Sequence, residues 1–197
     1  MKKLLAIIIL SLCFITQSQA DDIRDFQIEG MSIGDSLLNY MSENEIKKYD
    51  KPIYLHPGSD KYKSAYLSRE NFQTYKRVKI SYLKDDKKYK IESLVGMIFF
   101  PNNIKSCLKL KNKIEKDFDT IFPIAKKKSG TIKKAYDRTG KSTTTMSEYV
   151  LPSEDAAIIS CDDWSKEMTE RENFIDQLNV RLESKNFGYF LMYEAYK

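Results

Sequence analysis

At Pro101 the spacing of apolar residues changes from a period of two to one of 3.6, and this change constrains the fold more than any other feature. From Phe72 to Leu83 the residues alternate: Val78, Ile80 and Tyr82 point one way, and Arg77, Lys79 and Ser81 the other. That is the pattern of a strand with one buried face. Asp85-Asp86-Lys87-Lys88 makes a polar turn, and Tyr89 to Phe100 is a second, more apolar strand expected near the centre of a sheet. Pro101 ends it, since proline cannot donate to a ladder. Asn103 then caps a long helix, on which Ile104, Cys107, Leu108, Lys111, Ile114, Phe118 and Ile121 fall on one stripe at i, i+3, i+4 spacing. A hairpin followed directly by such a helix is expected to bury the stripe against the sheet.

The rest of the chain repeats this order. Phe26-Gln27-Ile28 reads as a short strand ending at Gly30. Ser32 is placed to cap a helix carrying Ile33, Leu37, Leu38 and Met41, and Ser42 with Glu45 has capping-box spacing for its continuation through Ile46 and Tyr49. Asp50 to Lys63, with Pro52, Pro57, Gly58 and the single histidine His56, reads as a loop. Beyond the long helix, Lys126 to Gly140 is expected to be a basic loop. Ser142–Leu151 and Ala156–Cys161 form a hairpin around Pro152-Ser153-Glu154-Asp155. Leu178, Val180 and Leu182 mark a further strand, and the aromatic tail Asn186–Tyr196 a short helix capped by Ser184 or Asn186. The fold class is α+β: an antiparallel sheet of hairpins with helices packed on one face, in two helix-plus-hairpin units without a residue-level repeat. This element order is similar to that of small exported inhibitors of the beta-lactamase inhibitor type and, in a single unit, of small outer-membrane-assembly lipoproteins. The opening Gly30-Met31-Ser32-Ile33-Gly34-Asp35-Ser36-Leu37-Leu38 resembles that of uncharacterised bacterial exported proteins, a likeness that implies no function.

The N-terminus reads as an address. Lys2 and Lys3 precede an almost wholly apolar Leu4–Ile15 run, and Ser18-Gln19-Ala20 puts small residues at −3 and −1 of a cleavage point. Those are the three parts of a secretory signal peptide, and the run is too short to span a bilayer. The expected organisation is a leader over 1–20 and a single domain over 21–197, periplasmic or secreted, with no transmembrane segment after cleavage. Removing 20 of the 197 residues leaves 177, and the loss of two lysines lowers the formal charge from +5 to +3. Two cysteines remain, Cys107 and Cys161. In an oxidising compartment an even pair reads as one disulfide, with two buried free thiols as the alternative.

Three motifs look like chemistry. Gly34-Asp35-Ser36-Leu37 resembles the nucleophile block of the GDSL hydrolases, in which Ser36 would attack; no histidine follows His56 to serve as its base. Gly30-Met31-Ser32-Ile33-Gly34 fits a nucleophile elbow, yet only one short strand precedes it. Ala135 with Gly140-Lys141-Ser142 matches a relaxed phosphate loop, but Thr143-Thr144-Thr145 follows where a helix should start. Asp162-Asp163-Trp164 with Glu167 lacks calcium-loop spacing and reads as a solvated turn, and His56 has no co-ligands. No metal or cofactor is expected. The expectation is a non-catalytic exported protein of the cell envelope that binds an envelope protein or an anionic surface, not nucleic acid. Its candidate contact groups are Lys126, Lys127, Lys128, Lys133, Lys134, Arg138 and Lys141, with a Tyr-rich loop of Tyr54, Tyr62 and Tyr66. The alternative is a small periplasmic ester hydrolase of GDSL type.

Overall fold

The computed structural model describes residues 22–52 and 61–195. The leader, His56 and Tyr54 lie outside the described residues. Eight strands form one antiparallel sheet: β1 (Asp50–Pro52), β2 (Tyr62–Leu67), β3 (Arg77–Leu83), β4 (Ile91–Phe99), β5 (Lys126–Lys133), β6 (Thr143–Val150), β7 (Ala156–Asp163) and β8 (Gln177–Glu183). The helices are α1 (Glu43–Tyr49), α2 (Ile104–Ile121), α3 (Lys166–Glu172) and α4 (Lys185–Tyr193). The strand order is β1-β2-β3-β4-β8-β7-β6-β5. Each half is therefore a helix followed by a four-strand meander, and the two last strands, β4 and β8, pair at the centre. The fold is α+β, and the β3–β4 hairpin, α2, the β6–β7 hairpin, β8 and α4 follow one another as the periodicity implies.

One face of the sheet carries the main core. Ala65 and Leu67 of β2, Val78, Ile80 and Tyr82 of β3, Leu94 of β4, Leu178, Val180 and Leu182 of β8, and Ala157, Ile159 and Cys161 of β7 all belong to it. Over the second half this face is covered by α2, which lies on β7 and β8. Asn103 caps α2 by accepting from the Ser106 N–H at 3.2 Å. The Cys107–Cys161 disulfide ties α2 to β7 across 54 residues of sequence, which in chain-entropy terms is worth about 4 kcal/mol. Over the first half, Ile23, Ile28, Met31, Ile33, Leu37, Met41 and Ile46 take the place of a long helix.

The structure departs from the sequence reading in five places, the first being Phe26-Gln27-Ile28, which is no strand and makes only a single bridge, Ile28 to Met31, across the Gly30 turn. Residues 32–41 are not a helix; only Leu37–Asn39 makes a 3₁₀ turn, with Ser36 as its cap. Gly30 and Gly34 adopt φ of +81° and +91°, and the backbone bonds outward, Gly34 N–H to the Ile91 carbonyl at 2.8 Å and Leu37 N–H to that of Tyr89 at 3.0 Å. A segment that pairs with β4 in this way cannot also close i→i−4 bonds. The Tyr-rich segment 62–67 is a strand, not a loop, and so is Lys126–Lys133, which the antiparallel ladder to β6 organises. The stretch from Asp162 to Glu167 is the end of β7 and the start of α3, which Ser165 caps.

Candidate functional site: the open face of the sheet

Register determines which side chains share the second face. A cross-strand row runs Tyr66, Lys79, Val95, Arg181, Ile158, Glu148, Lys128 through seven strands. Beside it runs Arg77, Met97, Asn179, Ser160, Met146, Gly130. Where the first face is aliphatic, this one mixes cations, aromatics and methionines. At one end α4 packs Phe187 and Phe190 onto Tyr62 and Leu83 in a small separate core. At the other end Trp164 stacks with Phe174 at 4.4 Å and with Tyr136 at 5.6 Å. Between these borders the apolar floor is screened by the long side chains that stand around it, with Val95 at 7% and Met97 at 8% exposure.

The electrostatics of the face are uneven. Near Trp164 the charges are matched. Asp162 accepts from Lys134 at 2.8 Å, Thr144 at 2.7 Å and Asn179 at 3.0 Å, and Lys134 also sits 4.2 Å from the Trp164 ring centroid. On the β3 side they are not. Lys79 stands over Tyr66 at 5.7 Å and Arg77 over Phe99 at 5.4 Å, and neither has an ion pair among the described residues. Desolvation, with the nearby Arg181 charge, pushes the Lys79 ammonium down to about 8. Arg181 has Glu183 at 3.6 Å, and burial raises that carboxyl because α4 lies over it.

The candidate residues read from the sequence are dispersed. Lys127 belongs to an internal brace, 2.6 Å from Asp119 and 3.0 Å from Glu115 of α2. Lys134 is held by Asp162, and Tyr62 is only 2% exposed beneath α4, so it is a core residue. Lys126 and Lys128 project on the open-face side of the β5 edge, and Lys133 lies on the opposite side. Arg138 is exposed in the 134–142 loop, and Lys141 flanks a shallow depression beside Lys166, Glu167, Glu170 and Arg171. Tyr66, at 39% exposure, lies in the central row. Arg77, Lys79 and Arg181 were absent from the candidates although their alternation with Val78 and Val180 already assigned them one face; what the alternation cannot show is that β3 and β8 flank the same strand.

The motif residues have structural duties. Ser36 Oγ donates to the Lys88 carbonyl at 2.6 Å and Ser32 Oγ to that of Phe26 at 3.0 Å. Asp35 accepts from the Ser32 N–H at 2.9 Å and from the Tyr40 hydroxyl, whose proton is held up to about 12 by burial and by Asp35 itself. Gly140-Lys141-Ser142 joins two strands. The Thr139 and Ser142 N–H groups, which a phosphate would need, are taken by Asp137 at 2.9 Å each. Hydrogen bonds from Ser142 and Thr139 hold the Asp137 carboxyl far below the usual carboxylate range. No helix among the described residues is long and apolar enough to cross a membrane. No protein-family model matches this chain, and neither a curated protein nor a solved structure matches it.

Proposed function

We propose that this is an exported, non-catalytic binding protein that docks a protein partner on the open face of its sheet. The observation that carries the reading is the make-up of that face: Arg77, Arg181, Tyr66, Met97, Met146 and, at its border, Trp164 are the residue types that concentrate in protein interfaces, gathered on one surface of a rigid sheet. The excess of unpaired cations on its β3 side suits an acidic partner surface. Export is supported by the leader pattern at 1–20 and by the Cys107–Cys161 bond, a feature of oxidising compartments.

The test is photocrosslinking in intact cells. A photoreactive amino acid at Met146 on the open face should capture a discrete protein, and one at Asn112, exposed on α2 at the back, should not. Capture from the Asn112 position alone, or the same background from both, would remove the open face as a docking surface.

A further inference from the structure

We propose that Arg77, Lys79 and Arg181 form a carboxylate-binding site at which the open face holds an acidic side chain of its partner. This rests on the docking reading above and names the chemistry of its anchor. Lys79 and Arg181 are both cross-strand neighbours of Val95, one from β3 and one from β8. Neighbouring strands lie ~4.8 Å apart, so two cations stand about 10 Å apart at the backbone, within convergent reach of long side chains. Arg77 is two residues before Lys79, on the same face and opposite Met97. Like charges this close repel, and native sheets ordinarily set an acid between them. No acid stands between them: β4 sets Val95 there, with Ser93 and Met97 on either side, and its one acid, Glu92, lies at the β4 bulge, where it accepts from Ser184 and pairs with Lys90.

The charged and titratable groups around Lys79 are few. β2 contributes Tyr66, β3 contributes Arg77, and β8 contributes Arg181 and Glu183. Glu183 is turned under α4, with its Oε1 3.3 Å from where a Cβ on Gly188 would stand, and its Oε2 lacks a hydrogen-bond partner. The Tyr66 and Phe99 rings hold Lys79 and Arg77 in place through their π faces. The result is two ring-held cations with Arg181 across Val95 from them, around an apolar floor where a carboxylate gains charge-assisted hydrogen bonds. Burial and, after it, the Arg181 charge lower the Lys79 proton affinity, and a carboxylate bound between the two cations would offset both. Lys127 and Lys134 carry the same charge but have carboxylates at 2.6 and 2.8 Å; Arg181 has only the longer 3.6 Å pair with Glu183, and Lys79 and Arg77 have none among the described residues.

The probe is a hexaglutamate peptide titrated into the purified chain and followed by calorimetry. At pH 6.5 it should bind one to one. The Lys79→Gln/Arg181→Gln variant should lose at least tenfold in affinity, Arg77→Gln should lose part of that, and Lys126→Gln/Lys128→Gln on the β5 edge should stay within twofold. Binding to the unsubstituted chain should weaken between pH 6.5 and 9.5 as Lys79 loses its proton, and Lys79→Arg should bind equally at both. No binding, or loss confined to the β5 variant, would overturn the site. If the Met146 position still captures a partner when hexaglutamate fails, the docking reading stands and only this anchor falls.

Discussion

At Gly96 a Cβ would stand 2.6 Å from the Cδ1 and Cε1 atoms of the Tyr75 ring. Gly96 is opposite Val78 and Val180 in the middle of β4, so the ring occupies the space that a side chain would claim on the core face. Tyr75 cannot withdraw easily, because its N–H and those of Gln73 and Thr74 are all bound at 2.8 Å by the Glu29 carboxylate. Burial, with the Glu29 charge beside it, pushes the Tyr75 phenol well above its ordinary value. Gly96→Ala should therefore cost ~1–3 kcal/mol through overpacking, read as a lower urea midpoint at unchanged slope. An unchanged midpoint would mean that the ring shifts freely. At this scale a residue's type says little about its role. Lys127 and Lys128 are adjacent in sequence, yet one bridges to α2 and the other points to the open side.

At the scale of elements, α2 is fastened to the second meander by a polar seam as well as by the disulfide. Lys111, 3% exposed on the buried stripe, donates to Glu115 at 2.7 Å and to Ser147 of β6 at 2.9 Å. Glu115 also accepts from Ser147 at 2.8 Å and pairs with Lys127 of β5. Desolvation works to raise the Glu115 carboxyl, but the bonds from Lys111, Lys127 and Ser147 outweigh it and hold it at about 2. A carboxyl depressed on folding contributes stability that is full above its unfolded value near 4.5 and is lost as pH falls towards 2. Glu115→Gln should thus flatten the fall of Tm between pH 4.5 and 2. An acid limb as steep as that of the unsubstituted chain would assign the loss to other carboxylates. The seam also explains why Lys126–Lys133 is a strand: the β5 side that faces α2 finds an acid for Lys127 and hydroxyls for Ser129 and Thr131, at Ser147 and Thr145.

At the scale of the molecule the two meanders share one ladder, β4 against β8 over seven residue pairs from Ser93↔Glu183 to Phe99↔Gln177. Neither half can open without exposing the central strand of the other. Trp164 fluorescence, which reports the second half, and far-UV circular dichroism, which reports both, should give one coincident urea transition. Two separated transitions would mean that each helix and meander unfolds alone. The α+β class, the long helix with its Asn103 cap, the two hairpins and the terminal helix were legible in the sequence, because periods of two and 3.6 and short polar caps are local properties. The cysteine pairing was legible because the sequence beyond the leader pattern at 1–20 holds only Cys107 and Cys161. Not legible were strand β2 just past the Pro52 and Pro57 stretch, the extended course of residues 32–41 and the central β4–β8 pairing, since each depends on hydrogen bonds to residues far along the chain. The gathering of Arg77, Lys79 and Arg181 belongs to that second group. Alternation assigns each to a polar face, but only sheet order brings residues about a hundred positions apart to either side of Val95.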